Sequence, residues 1–310
     1  MIRRSLKTPT PVRAPIAAPS SAATARWLRA RRDAMPRARP RVPRAIPPTA
    51  IERSYAADLV RMVDRLRAVW APVIAAVPSI AEDLAAERGD RMDASSGHRR
   101  LKALVDHAVT EGRKVIQVPE IERAARKTGE RVSAHQKTQL RNQAKAALGV
   151  EPHITDDGLA GVIDQFVHEN VALVKRIPER LHGDLEAIVS RAVNKGTRAH
   201  KGALEREIQD RFGVSQRHAR LIARDQTTKC LGKITRHRHK KMGVKRWTWR
   251  TCGDERVRGT PGGKYPDAEP SHFELDGQEF DEDDPPILDG VPTRPSDPVC
   301  CRCWEEPIFE

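Results

Sequence analysis

The chain changes grammar at Gly243. From residue 49 onward, apolar residues recur at steps of three and four, as in Ile51, Tyr55, Leu59, Met62, Val63, Leu66 and Val69. That step is the period of one face of an α-helix. Beyond Gly243 the sequence turns to tryptophan and threonine, in W-T-W-R-T over residues 247–251, and then to glycine- and proline-punctuated stretches. Those residue types favour short strands and turns. The fold class expected is α+β: a mainly helical elongated body, a small C-terminal β-module and a disordered or extended basic N-terminal arm.

The arm covers residues 1–48. Residues 1–50 hold twelve Lys/Arg, one acid and nine prolines. With no apolar period they have little to bury. Residues 49–198 form the expected helical body, and residues 199–310 carry long helices followed by the β-module. The net charge of +14 is unevenly spread: residues 229–250 hold nine Lys/Arg and no acid, whereas residues 254–290 hold twelve acids and three bases. This asymmetry fits either a polyanionic partner, most simply nucleic acid, or a solvated basic surface. Arg26, Arg29, Arg31, Arg32, Arg37, Arg39, Arg41 and Arg44 are the candidate phosphate-binding residues. Aromatics make up 4% of the chain and the mean hydropathy is −0.61. The expected core is therefore aliphatic and loose, gaining stability from a partner or an oligomer. No segment reaches the roughly 20 apolar residues that cross a bilayer, so no membrane partner is expected. The N-terminus lacks the apolar stretch of a secretory signal. Five cysteines clustered toward one end do not form the even framework of a secreted disulfide scaffold.

Prolines and glycines suggest the helix boundaries. Pro72 and Pro78 are expected to break the first helix, leaving a short one at 79–88. Further helices are expected at 98–117, 119–128, 131–148, 156–177 and 179–195, with Gly129 and Gly149 as C-terminal caps and a break at Pro178. Two more, at 200–212 and 215–241, flank Phe212-Gly213-Val214. Over residues 204–228 this resembles a helix-turn-helix, with Arg217, His218, Arg220 and Arg224 on the second helix. An ordinary αα-corner explains the same residues.

In the β-module, residues 272–280 read as a hairpin turning at Asp276-Gly277, and residues 300–304 as a third strand. In a strand, residues two apart share a face, which puts Cys301 and Cys303 together. Cys252 and His272 are near enough in the pattern to complete a tetrahedral zinc site of three thiolates and one imidazole. The same cysteines also suit a reduced, partly buried cluster acting as small hydrophobes. Asp254 and Arg256 are expected to fix their loop by hydrogen bonds and an ion pair. The acidic run at 281–284 lacks calcium-loop spacing and reads as a solvated loop. No nucleophile–base spacing, phosphate-binding glycine loop or paired-carboxylate pattern is present, so no enzymatic activity is expected.

Taken in order, F-G-V-S, A-R-L-I-A-R-D-Q, the long basic helix, W-T-W-R-T-C-G-D-E-R-V-R, H-F-E-L-D-G, a proline-rich spacer and C-R-C resemble the phage head morphogenesis proteins, the Mu F-like or SPP1 gene 7-like family. The resemblance covers about residues 200–304. Its motif residues here are Trp247, Asp254, Arg256, Arg258, His272, Asp276 and Gly277. Two departures stand out: Asp225-Gln226 where the family often has Thr-Glu, and a longer spacer, G-T-P-G-G-K-Y-P-D, between Arg258 and His272. The resemblance implies a non-catalytic minor structural protein of a tailed-phage head. Such a protein enters during procapsid assembly in the host cytoplasm and resides at the portal or head interior. It also implies portal protein, major capsid or scaffold protein, and packaged double-stranded DNA bound without sequence preference, as partners.

Overall fold

The apolar stripe that begins at Ile51 runs past both prolines. In the computed structural model, which describes residues 42–87, 96–195 and 201–309, it forms a single helix, α1 (Thr49–Glu87), with Pro72 and Pro78 inside it. Tyr55, Leu59, Leu66, Trp70, Val73, Val77 and Ile80 are buried along its inner face. Pro72 lies on the exposed face, where the carbonyl that loses its partner can reach water. The packed stripe outweighs the ~3 kcal/mol cost of a helix-interior proline. The helix starts on Pro48, whose carbonyl accepts the N–H groups of Ile51 and Glu52 at 3.0 and 2.9 Å. Pro48 is therefore the residue at the N-cap position.

Residues 42–48 are extended and strapped to the body. Gln139 grips the backbone of Ile46 in both directions, accepting from its N–H at 3.0 Å and donating to its carbonyl at 2.6 Å. Gln143 donates to the Pro43 carbonyl at 3.1 Å. The end of the expected arm therefore belongs to the body, and residues 42–310 form one unit. Residues 1–41, with seven of the eight candidate phosphate-binding arginines, lie outside the described residues.

The remaining helices are α2 (Ser96–Val115), α3 (Val118–Leu148), α4 (Leu159–Val174), α5 (Arg176–Lys195) and α6 (Lys201–Lys241). Gly129 does not end a helix. It lies within α3, where a Cβ would stand 3.2 Å from Ile163 and 3.4 Å from Phe166, so it lets α3 and α4 approach closely. Gly149 does cap α3, at φ 72°, with its N–H on the Lys145 carbonyl. The break between α4 and α5 falls at Lys175. Pro178 then sits in the first turn of α5, where its missing N–H costs nothing.

Helix α6 corrects the sequence reading most. Residues 212–214 are helical, so residues 204–228 contain neither a helix-turn-helix nor a corner. The reason is packing: α6 touches α1, α3, α4, α5 and β5. Over residues 219–239 it buries Ala219, Ile222, Ala223, Asp225, Gln226, Thr227, Cys230, Ile234, Arg238 and His239. A helix covered on several sides carries no single apolar stripe. The guanidinium of Arg238 is buried against α3, bonded to the Ser133 carbonyl at 2.8 Å and to Gln136 at 2.6 Å, with Asp156 also at 2.6 Å.

The β-module follows. Strand β1 (Arg246–Arg250) lies between β2 (Glu279–Asp281) and β5 (Trp304–Ile308), both antiparallel to it, while β3 (Ile287–Leu288) and β4 (Val291–Pro292) form a separate ribbon. Trp247 pairs with Phe280 on one side and Pro307 on the other. Two expectations fail here. Residues 272–277 are turns and do not form the first arm of a hairpin, and residues 300–303 precede the last strand instead of forming one. Cys300 has φ 55°, outside strand geometry. Trp247 and Trp249 are fully buried and pack with Cys301 and Cys303.

Two measurements check this account. Gly213 is helical, and a Cβ there would meet only the tip of the Arg217 side chain, at 3.4 Å. Gly213→Ala should therefore stabilise the protein by roughly 0.5–1 kcal/mol in urea unfolding; a turn at this position would make the change destabilising. Trp70 of α1 donates its indole N–H to His182 Nδ1 of α5 at 3.0 Å. Burial, with Arg113 nearby, holds His182 below its usual 6.5, so the folded protein binds fewer protons here than the unfolded chain. This contribution to stability is complete above about pH 6.5 and declines as pH falls below it. Thermal melts should show His182→Gln, which keeps an acceptor but cannot titrate, losing less stability than the parent on acidification.

Candidate metal centre

Two loops bring the sulfurs and the imidazole together. The Arg258 carbonyl accepts the N–H groups of His272 at 3.1 Å and Phe273 at 3.0 Å. The long spacer is thereby closed into an excursion that begins and ends at one point. Gly259 makes the closure possible: its φ is 78°, and a Cβ would lie 2.0 Å from Ser271 Oγ, a space no other residue could share. His272 is delivered against Trp249, edge to face at 5.4 Å. From the other direction, Ser296 (φ 74°) donates its hydroxyl to the Cys303 carbonyl at 3.1 Å. It packs on Gly232 of α6, where a Cβ would stand 2.9 Å from the Ser296 Cβ.

His272 Nδ1 lies 3.7 Å from the sulfurs of both Cys301 and Cys303. These three ligand atoms lie within 4.8 Å of one another, and all three residues are buried. A tetrahedral zinc with Zn–S of about 2.3 Å and Zn–N of about 2.0–2.1 Å has S···N edges of about 3.5 Å and S···S edges of about 3.8 Å. The donor set and spacing thus fit a zinc-type ion. Hydrogen bonds from Cys303 and then His272 hold Cys301 well below the usual thiol range. The proximity of Cys301, with burial, pushes Cys303 up. All five cysteines are free. Cys252, the fourth ligand expected from sequence, is not among the converged three. Its thiol donates to Asp254 Oδ1 at 3.4 Å, and it lines the groove onto which the three open.

The other motif residues divide between scaffold and groove. Trp247 packs on Phe280 at 5.0 Å and lies beneath the Arg294 guanidinium at 5.4 Å. Asp254 accepts the Arg256 N–H at 3.1 Å, but its ion pair is with Arg302, not with the Arg256 side chain. Asp276 accepts the Thr251 N–H at 2.7 Å. Gly277 (φ 85°) donates to the Trp249 carbonyl at 2.8 Å. The Asp-Gly pair therefore docks a turn onto β1. Arg256 and Arg258 line the groove. Arg44 is exposed and bonds the Cys252 carbonyl.

Sequence reasoning noticed Asp225 only as a departure from the family pattern, yet it holds the cysteine loop. Its Oδ1 accepts the Cys300 N–H at 2.9 Å and its Oδ2 pairs with Lys229 at 2.9 Å. Gln226 donates to Asp225 at 3.1 Å and accepts from Asn170, which in turn accepts from the Tyr55 hydroxyl at 2.9 Å. A buried polar chain therefore runs from α1 through α4 and α6 to the residue before Cys301. A second tie joins α6 to β5. Glu305 is buried between Arg236 and Arg294, each at 3.4 Å. Burial raises its carboxyl to about 7 despite both cations. It also lowers the neighbouring His239 to about 3, with Arg294 and Arg236 adding to the effect. Neither tie has a periodic signature in the sequence.

Residues 184–305, from within α5 into β5, match the family described as Phage Mu protein F like protein. Over 179 residues the chain is 29% identical to an uncharacterized protein of Haemophilus influenzae, a match covering 58% of this chain and 35% of that protein. The chain thus spans about a third of the length of the curated relative it matches. No solved structure matches it.

Asp225→Ala should cost about 2 kcal/mol, because it leaves the Cys300 N–H and Lys229 without their carboxylate. Urea unfolding followed by tryptophan fluorescence measures this. Asp225→Asn, which keeps an acceptor, should cost less.

Proposed function

We propose that this chain is a non-catalytic minor structural protein of a tailed-phage head. In this reading it joins the procapsid in the host cytoplasm, sits at the portal or head interior, and contacts packaged DNA through phosphates without sequence preference. The observation that carries the reading is the match of residues 184–305 to the Mu F-like family. The uneven charge supports it: a basic, proline-rich N-terminal segment suits phosphate contact, and the helical body offers a docking surface for portal, major capsid or scaffold protein. Co-expression with the neighbouring portal and major capsid proteins, followed by pull-down, tests it. Recovery of a stable complex with either supports the head role, and recovery of neither overturns it.

Within that role, zinc held by His272, Cys301 and Cys303 acts as a structural cross-link of the C-terminal module. The fourth position falls to water or to Cys252 after a shift of its loop. The support is the close convergence of three buried ligand atoms of the right chemistry. Elemental analysis of protein purified without chelator should find stoichiometric zinc. The double variant Cys301→Ser/Cys303→Ser should lose the metal and melt at lower temperature. Absence of metal from the parent protein, with no change in melting temperature in the variant, would sink the assignment.

A further inference from the structure

The groove above the thiol–imidazole cluster has a volume of about 720 Å³, and its lining includes Arg224, Arg256, Arg258, Lys264 and Arg302 against one carboxylate, Glu269. Arg302 is committed to Asp254. The other four cations have no carboxylate at ion-pair distance among the described residues. Surface cations usually disperse or pair, because like charges drawn into one concavity raise the potential there. Four cations without carboxylate partners in one groove make a positive concavity suited to an anion.

The groove is built from backbone. Arg256 and Arg258 flank Val257, which is buried, so the two arginines are fixed at the start of the spacer loop. The loop then folds back on itself. The Lys264 N–H donates to the Glu255 carbonyl at 2.5 Å, the Gly259 N–H to the Tyr265 carbonyl at 2.9 Å, and the Gly263 N–H to the Thr260 carbonyl at 2.9 Å. Gly263 is enclosed, since a Cβ there would lie 2.7 Å from the Glu255 carbonyl oxygen. The result is that the G-T-P-G-G-K-Y insert returns Lys264 and Tyr265 beside the two arginines. The Lys264 ammonium lies 5.7 Å from the Tyr265 ring centre, and 47% of Tyr265 is exposed. Helix α6 adds Arg224 to the lining.

We propose that this groove binds the phosphodiester backbone of a nucleic-acid strand, with Arg224, Arg256, Arg258 and Lys264 as the phosphate contacts and Tyr265 as a face on which a base or sugar rests. The inference rests on the reading that the chain meets nucleic acid, and adds a contact surface separate from the N-terminal arginines. Guanidinium forks match phosphate oxygens in pairs. Exposed aromatics among cations are the usual furniture of strand-tracking grooves. The contacts proposed are to phosphates, which every sequence shares, so binding should be indifferent to sequence.

The test uses the full chain and a fluorescein-labelled 20-mer, both single-stranded and as a duplex, with affinity followed against salt. Arg256→Gln/Arg258→Gln/Lys264→Gln should reduce the slope of log K against log salt by about 2 to 3. Arg256→Lys/Arg258→Lys, which keeps the charges, should preserve it. The side chains of these residues make no hydrogen bond among the described residues, and circular dichroism and melting temperature should match the parent. In parallel, Arg37→Gln/Arg39→Gln/Arg41→Gln probes the N-terminal segment. An unchanged slope in the groove variant with a reduced one in the segment variant overturns the groove and leaves the general DNA reading intact. No binding by the parent overturns both. If nucleoside triphosphate at matched phosphate concentration displaces the strand fully from the groove-dependent mode, the ligand is a free phosphate compound and the strand assignment fails.

Discussion

Asp225 sits 9% exposed near the middle of a 41-residue helix, and a carboxylate in that position is tolerated only when donors surround it. The donors come from different parts of the chain: Lys229 one turn on, Gln226 beside it, and the N–H of Cys300 from the C-terminal loop. Cys300 adopts φ 55°, a backbone state that costs a non-glycine residue energy and persists because the carboxylate holds it. The position of Cys301, and hence the thiol–imidazole cluster, depends on that contact. The helical body therefore sets the geometry of the module without lending a ligand to it.

The same logic runs along α6. Arg238 reaches back to α3 and Arg236 forward to Glu305, while Gly232 lets Ser296 press against the helix. Each contact is specific and polar or close-packed, and together they make α6 a shared wall for several helices and the sheet. Removing one partner of such a pair strands the other in low dielectric. The wall thus tolerates replacement of whole pairs better than of single residues.

Where one face of an element is buried, the sequence alone revealed it. The stripe from Ile51 follows the helical period and is the buried face of α1, whereas the strand at Trp247–Trp249 was legible from residue type and is buried on both faces. Proline and glycine misled where packing outweighed local preference: α1 passes through Pro72, α3 through Gly129 and α6 through Gly213. In α6 the apolar period is weak because several neighbours cover it, and Arg238, part of the basic run that reads as a solvated surface, is among the most buried residues, while Arg217 and Arg220 are exposed. Cys301, Cys303 and His272 were legible as a group from residue type. Their actual route to one another, through a positive-φ turn and a closed excursion, was not, since neither leaves a periodic trace. Lys264 and Tyr265 were hidden for the same reason, lying in a spacer whose composition suggests only a loop.

The central place of β1 in its sheet also has a temporal meaning. Its partner on one edge, β5, is Trp304–Ile308, and Trp247 pairs with Pro307, so the sheet closes across nearly the whole length of the module. On a ribosome, α1 through α6 can assemble while the strand that completes the sheet is still unmade. Until it arrives, Trp247, Trp249 and the cysteine loop have no lid. Non-local pairing of this kind is slow, and an uncovered tryptophan pair is a surface other chains can adhere to. Synthesis and closure of the module are thus the interval in which this protein is most open to misassembly.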